Sequence, residues 1–132
     1  TCALPICIKD LRKDEVNDKD ICILTQIDSY RKEISSKLKE MGIESQNAEE
    51  MFQKDDNKVV VESIWRFKGL ESKVVILLYW PRFPQSDPSK MSYAMKEKEL
   101  LYTAFSRCFC YLIVVSTKRG CEVLKSQKVS EI

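Results

Sequence analysis

The pattern of apolar and polar positions along the chain predicts strands and helices in alternation. Four short runs are rich in apolar residues, which is typical of strands that are buried in a parallel sheet. These runs lie at residues 21–25, 58–64, 74–80 and 111–115. The predicted fold is therefore an α/β sandwich of three layers around a central, mostly parallel sheet.

Helical spacing follows the first strand. A cap at Asp28 or Ser29 begins the predicted helix, and Gly42 stands where a left-handed residue ends helices. The apolar stripe of this helix consists of Tyr30, Ile34, Leu38 and Met41. The first strand and this helix form one unit that stops at the glycine.

The rest of the chain predicts two further helices and several connections. Residues 95–107 predict a helix with Leu101, Ala104 and Phe105 on one face, and residues 120–127 predict a closing helix. The charged residues 9–20 predict a solvated turn or helix end, and residue 43 begins a short extended piece. A helical turn is expected at 47–52, and a surface loop is expected at 81–90, which contains three prolines.

Length and charge restrict the function classes. At 132 residues the chain is long enough for one domain, and its 22 basic and 20 acidic residues leave a net charge of +2. That balance excludes a protein that binds nucleic acid by overall charge alone. Contact with nucleic acid should be local, and no apolar run approaches the length of a membrane span.

The six cysteines do not follow a zinc-binding spacing, and the chain has no histidine. Reduced, mostly packed thiols are therefore the favoured interpretation, because free cysteine is often buried. A zinc site would need cysteine alone or cysteine with carboxylates. Reduced thiols favour a reducing intracellular compartment, nuclear or cytoplasmic.

The chain begins with Thr1 and is expected to be a fragment or a processed product of a longer protein. A nucleotide sequence that encodes residues 1–6 can match the end of a common sequencing adapter. We therefore expect these six residues to be a non-native leader, and residues 7–132 to form the domain. A native strand start is the alternative.

Two segments next to predicted strands carry residues of interest. In residues 63–71, Gly69 lies between basic and acidic neighbours, where backbone amides can approach an anion or a sugar. In residues 99–107, a helix ends at Arg107, whose guanidinium can bind a phosphate in bidentate fashion. The alternatives are an ordinary solvated loop and a surface cation at a helix end. Ligands of parallel sheets bind at the carboxyl ends of strands, where we expect both segments.

The order and context of these two segments resemble a known family. Phe-Lys-Gly-Leu-Glu at 67–71, followed by an apolar strand, is similar to motif V of UvrD-type superfamily 1 helicases. Leu-Tyr-Thr-Ala-Phe-Ser-Arg at 101–107, before the last strand, is similar to motif VI. The strand at 21–25 and the helix before Gly42 resemble the unit that begins this helicase domain. The resemblance covers about residues 18–118 and implies the second RecA-like (2A) domain.

The resemblance implies a role for five residues. Arg107 matches the arginine finger that reaches the γ-phosphate of ATP, and Gly69 and Glu71 match residues that line the nucleotide. Ser63 and Trp65 match positions that touch single-stranded DNA or RNA. Tryptophan at this last position departs from the usual histidine, and Trp65 can either stack on a base or belong to the core.

Further departures from the family pattern leave the sub-family open. Ser106 replaces the usual threonine, and Cys108 stands where alanine is common. Arg66 and Phe67 are bulkier than the pair often found there, which leaves DNA or RNA preference undecided. The same pair resembles the helicase-like C-terminal region of Schlafen-type proteins, whose domain would bind nucleic acid or partners without unwinding.

The sequence contains no Gly-x-x-x-x-Gly-Lys-Ser/Thr loop and no Asp-Glu pair after a strand. In the family, these elements belong to the first RecA-like domain, which would hold ATP and Mg²⁺ and be a partner within the same parent chain. The isolated chain is therefore expected neither to hydrolyse ATP nor to unwind a duplex. A plain α/β binding or scaffold domain is the remaining alternative, favoured by a non-parallel sheet or by burial of Arg107 away from the strand ends.

Overall fold

The computed structural model describes residues 3–47, 57–67, 70–79 and 91–130, with side chains in the last range for 98–122, 124 and 125. The strands are β1 (Ile21–Thr25), β2 (Ser45–Gln46), β3 (Val59–Ser63), β4 (Ser72–Tyr79) and β5 (Cys108–Ser116). The helices are α1 (Ala3–Lys13), α2 (Tyr30–Glu40), α3 (Met91–Ser106) and α4 (Lys118–Ser130). A 3₁₀ turn at Asp18–Asp20 precedes β1.

The five strands form one sheet in the order β2-β3-β1-β4-β5, and every neighbouring pair is parallel. All residues of the central strand β1 are buried, as are those of β3. Continuous apolar strands can be buried in this way because helices cover both faces of a parallel sheet. The predicted α/β fold with a central parallel sheet is confirmed.

Alternate side chains of the strands form two cores, one on each face of the sheet. Ile21 and Ile23 join the core beneath α1 and α2, whereas Cys22 and Leu24 join the core beneath α3 and α4. This alternation follows from the two-residue period of a strand. The molecule thus has the three layers that were predicted.

Helix α2 ends as its sequence predicts. Gly42 has a φ of 77°, and the amide of Ile43 donates to the carbonyl of Leu38 at 2.9 Å. This arrangement is a Schellman motif, in which a left-handed glycine closes the helix. Leu38 is buried, but Met41 is 54% exposed, so the buried part of the stripe ends one turn earlier than predicted.

The buried face of α3 differs from its prediction. Leu100, Leu101 and Ala104 are buried, whereas Phe105 is 39% exposed. With about 100° per residue, Phe105 falls roughly 40° outside the arc that the three buried residues span. Phe105 therefore lies at the flank of the face rather than within it.

Strand β5 is longer and more exposed than predicted, because it begins at Cys108 and is an edge strand of the sheet. Phe109 and Tyr111 are more than half exposed. A strand with only one neighbour among the described residues is less covered than the inner strands. Apolar composition alone does not distinguish an edge strand from a central one.

The N-terminal segment is helical in the described residues, so the alternative of a strand start is wrong. Leu4 and Pro5 are buried against the first core, and the charged residues at 9–13 form the end of the same helix. Packing does not bear on the origin of residues 1–6, and the non-native leader stays a prediction. The loop predicted at 81–90 and most of the turn predicted at 47–52 lie outside the described residues.

Two further findings concern the described part of the chain. None of its helices is long and apolar enough to cross a membrane. The cysteines that it includes are free thiols, and they are Cys7, Cys22, Cys108, Cys110 and Cys121.

The α2 stripe yields a matched pair of variants. We expect Leu38→Ala to lower the free energy of unfolding by about 2–5 kcal/mol, because it leaves a cavity in a closed core. We expect Met41→Ala to change it by less than about 0.5 kcal/mol, since this side chain is half exposed. Urea denaturation followed by circular dichroism measures both, and equal losses would contradict the assigned end of the buried stripe.

Candidate functional site

The predicted site residues lie at two opposite ends of the sheet. Ser63 pairs with Thr25 at the carboxyl ends of β3 and β1, and Trp65 follows in the next turn. Glu71 and Arg107 precede β4 and β5 and therefore lie at the amino ends. The expectation that both segments lie entirely at carboxyl ends is wrong for these two residues, because a residue that precedes a parallel strand lies at its amino end.

At the amino ends, backbone hydrogen bonds hold the two motif-like segments together. The amide of Ser72 donates to the carbonyl of Arg107 at 2.9 Å, so Glu71 and Arg107 lie on adjacent chain segments. The Ser72 hydroxyl lies 2.9 Å from the Asp20 carbonyl oxygen, which ties the start of β1 to the same point. Gly69, the remaining predicted nucleotide-binding residue, lies outside the described residues.

The Arg107 side chain is partly exposed and is held by its neighbour. Its Nε and Nη2 donate to the Ser106 hydroxyl at 3.2 and 3.0 Å, and that hydroxyl donates to the Thr103 carbonyl at 2.8 Å. Within the described ranges, no carboxylate forms an ion pair with Arg107. An oriented guanidinium without a carboxylate can bind a phosphate.

At the carboxyl ends, a turn over residues 64–67 presents Trp65. The amide of Ile64 donates to the Thr25 carbonyl at 2.9 Å, and the amide of Arg66 donates to the Ser63 hydroxyl at 3.4 Å. Ser63 itself is only 3% exposed, whereas Trp65 is 49% exposed. Trp65 is therefore not a core residue, and Ser63 supports the turn that carries it.

A chain of ion pairs stabilises the same end of the sheet. Arg66 Nε lies 3.2 Å from Asp28 Oδ1, and Arg31 Nε lies 3.8 Å from that same oxygen. Arg31 also donates from Nη1 to Glu62 Oε1 at 3.1 Å, and the Glu62 side chain is almost wholly buried. These four residues join the start of α2 to the end of β3 and its turn.

The buried Glu62 also influences a cysteine. Burial raises the pKa of the Cys22 thiol well above its ordinary value, and the negative charge of Glu62 raises this pKa further. Both causes disfavour the thiolate, because it would be a second negative charge in an apolar layer. Cys22 is therefore an inert core thiol.

A pocket of about 450 Å³ lies beside Trp65. The described residues that line it are Trp65, Lys98, Glu99, Tyr102 and Thr103. Sequence reasoning did not identify Tyr102, although its place between the buried Leu101 and Ala104 indicates a side chain on the outer surface. The missing information was that α3 lies beside the turn of Trp65, which no local pattern reports.

The described residues contain no group of three or more His, Cys, Asp or Glu side chains that could hold a metal ion. Glu71 is exposed at the amino ends, near Lys73 and Asp20, whose Nζ and Oδ2 lie 3.9 Å apart. Arg107 supplies a cation for an anionic ligand at this end.

Comparison with known proteins supports the fold. The chain is similar to the crystal structure of the C-terminal domain of a possible DNA helicase from Lactobacillus plantarum WCFS1. The TM-score is 0.61 at 19% sequence identity, over 90% of this chain and 70% of that one. No family model and no curated protein matches the sequence. The two chains therefore share a fold.

The Arg31–Glu62 pair is expected to matter for stability. We expect Arg31→Ala to lower the free energy of unfolding by about 3–5 kcal/mol, because it removes a paired cation from the buried Glu62 carboxylate. The exposed Lys37–Glu33 pair, 3.2 Å apart, is the matched control, and Lys37→Ala should cost at most about 1 kcal/mol. Urea denaturation tests both, and a loss below about 1 kcal/mol for Arg31→Ala would contradict this role.

The cysteines provide a chemical test of the same core. At pH 8, iodoacetamide should alkylate the exposed Cys110 and Cys121 in the native chain but leave Cys22 unmodified. In urea, Cys22 should react as the others do, because unfolding removes the burial that raises its pKa. Peptide mass spectrometry reports each site, and rapid labelling of native Cys22 would be inconsistent with this core.

Proposed function

We propose that the chain is the second RecA-like (2A) domain of a UvrD-type superfamily 1 helicase, and so the C-terminal half of an ATP-dependent DNA or RNA motor. The observation that carries the proposal is the hydrogen bond between Ser72 and Arg107, which brings the motif V-like and motif VI-like segments together. The two segments are far apart in sequence. Their junction at one end of the sheet is what a shared nucleotide site requires.

The proposed nucleotide site lies at the amino ends of β4 and β5. The first RecA-like domain of the parent chain would hold ATP and Mg²⁺, and Gly69 and Glu71 would line the nucleotide from this side. Arg107 would stabilise the charge that develops on the γ-phosphate during hydrolysis. Its support is the guanidinium held by Ser106, with no carboxylate partner in the described chain.

The proposed single-strand site lies at the other end, around the turn after β3. Trp65 is the residue that is exposed for contact, and Ser63 would act mainly through the backbone of the turn that it supports. Closure of the two RecA-like domains on ATP would move both ends of this sheet together. ATP hydrolysis would in this way be coupled to movement along the strand.

A regulatory or nucleic-acid-binding domain of the Schlafen type, without unwinding, is the second candidate. The observation that favours it is that both bulky residues of the Arg66-Phe67 pair contact the rest of the fold. Phe67 is buried in the core, and Arg66 forms an ion pair with Asp28. A P-loop lysine and a Mg²⁺-binding acid in the first domain of the parent protein decide between the two candidates. Sequencing the complete reading frame upstream of Cys7 would reveal them.

The arginine finger can be tested in the complete parent protein. We expect Arg107→Ala to lower the rate of strand-stimulated ATP hydrolysis by roughly 10³–10⁵-fold, because the transition-state charge loses its cation. Nucleotide affinity should remain largely unchanged, since the first domain holds most of the nucleotide. Steady-state ATPase assays and binding of a fluorescent nucleotide measure the two quantities.

The matched control for this test is Arg119→Ala, which removes another arginine, exposed at the start of α4. It should hydrolyse ATP at the rate of the unmodified protein. Full activity of the Arg107→Ala protein would exclude the proposed finger. A parent protein that lacks ATPase activity before any substitution would favour the regulatory candidate.

A further inference from the structure

A groove of about 850 Å³ follows helix α2, on the face of the sheet that α1 and α2 cover. All four residues of the α2 stripe line this groove, and they are Tyr30, Ile34, Leu38 and Met41. Of the four, Leu38 is buried, Tyr30 and Ile34 are partly exposed, and Met41 is 54% exposed. A helix that packs fully on its sheet buries the whole of its apolar stripe. The α2 stripe therefore faces both its own core and the groove.

The other described residues of the groove make it mainly apolar. Leu78 of β4 and Val115 of β5 belong to the sheet, and Leu4 and Pro5 belong to the start of α1. Residues 1–6 are expected to be a non-native leader, but α2 and the two strands alone supply an apolar surface. The groove is therefore a feature of the domain itself.

The hydroxyls of Ser116 and Thr117, which also line the groove, are already bonded within the fold. Ser116 donates to the carbonyl of Tyr79, and Thr117 accepts from the amide of Gly120 at 3.0 Å. A small polar molecule needs several polar groups that are free to fix its orientation. These bonds therefore disfavour a polar metabolite and favour a ligand with an apolar face.

The shape and size of the groove favour a helix over other apolar ligands. A concave groove needs a convex occupant, and a second copy of this chain would present the same concavity. Two turns of an α-helix of about 10 Å diameter occupy roughly 850 Å³, which equals the volume of the groove. The stripe from Tyr30 to Met41 is about 16 Å long, and apolar residues three and four apart on another helix would pack between its side chains.

Three charged residues of α2 line the groove, and two of them form a pair. Lys37 Nζ lies 3.2 Å from Glu33 Oε1. Glu40 is exposed and forms no ion pair within the described residues, so the described lining keeps a net negative charge. Charge complementarity therefore favours an occupant with a lysine or arginine beside its apolar stripe.

We propose that this groove binds an amphipathic α-helix of a partner protein, about three turns long, with an apolar stripe and a basic residue that contacts Glu40. The half-exposed Met41 side chain suits this contact, because methionine adapts its shape to different apolar partners. The described residues that line the groove belong to neither the proposed nucleotide site nor the proposed single-strand site. The helix site therefore goes beyond the proposed function and does not depend on it.

Fluorescence anisotropy of the 132-residue chain with three labelled synthetic peptides provides the test. The first peptide is helical, with leucines four, four and three residues apart as in the α2 stripe and lysines on its other face. The second has the same composition in scrambled order, and the third has glutamate in place of lysine. We expect saturable, micromolar binding of the first peptide and at least about tenfold weaker binding of the scrambled one, which has no apolar stripe.

Met41→Lys tests the apolar contact. It should weaken binding of the lysine peptide by roughly 5- to 20-fold, because it removes apolar surface and places a like charge at the groove. Phe109→Lys is the matched control, since Phe109 is an apolar residue of β5 that is similarly exposed, at 58%, and does not line the groove. Its affinity should equal that of the unmodified chain, and circular dichroism confirms that both variants are folded.

A charge exchange tests the orientation of the helix. Glu40→Lys should weaken binding of the lysine peptide by roughly 2- to 5-fold, as expected for one exposed ion pair, and strengthen binding of the glutamate peptide. Glu122→Lys makes the same change at an exposed position of α4 outside the groove and should alter neither affinity.

Three results would overturn the helix site. The first is no saturable peptide binding, or equal affinities of the striped and scrambled peptides or of the Met41→Lys and Phe109→Lys proteins. The second is binding of the apolar dye anilinonaphthalene sulfonate that Met41→Lys abolishes while no peptide binds, which would favour a small apolar ligand. The third is a dimer in sedimentation velocity that Met41→Lys dissociates, which would favour a second copy of the chain. The ATPase test of Arg107 stands independently of all three.

Discussion

The connection between β3 and β4 is the constraint on which the rest of the structure depends. Both strands are parallel, so residues 64–71 must return from the carboxyl end of β3 to the amino end of β4. The strand register places Ser63 level with Leu78, six residues along β4 from Ser72, or about 20 Å. Eight residues span at most about 29 Å when extended and only about 12 Å as a helix.

This distance explains why the connection carries function at both of its ends. A helix of eight residues would be too short for this distance, and residues 64–67 leave β3 in a turn. The turn holds Trp65 at the carboxyl end, and Glu71 stands at the amino end beside Arg107. The connection therefore contributes residues to both proposed sites.

Local sequence patterns predicted β1, β3, β4, β5, the helices α2 to α4 and the layers of this fold, but they did not predict helix α1. The apolar runs predicted the strands because an inner parallel strand is buried on both faces, and Gly42 predicted the end of α2 because few residues adopt a positive φ. The same patterns failed where burial depends on position in the sheet. Strand β5, which contains the exposed Phe109 and Tyr111, has the apolar composition of an inner strand, yet it is an edge strand.

The candidate site was predicted only in part, for a related reason. The resemblance to motifs V and VI of UvrD-type helicases implied the roles of Arg107, Glu71 and Trp65. The end of the sheet at which each lies depends on chain direction, and the neighbours of each side chain depend on helix packing. Tyr102 beside Trp65, and Asp28 beside Arg66, are contacts between distant segments that no spacing in the sequence encodes.

Because the two ends of the sheet are far apart, a small rotation about one end displaces the other end by several ångströms. Ser63 and Arg107 are about 20 Å apart along the strands and three strands apart across them, which amounts to roughly 25 Å. A rigid rotation of only about 8° about Arg107 would displace the Ser63 end by roughly 3.5 Å, close to the spacing of successive nucleotides along one DNA strand. Under the proposed function, a tilt of this size would move the turn after β3 by one nucleotide, with no change in the internal structure of the domain.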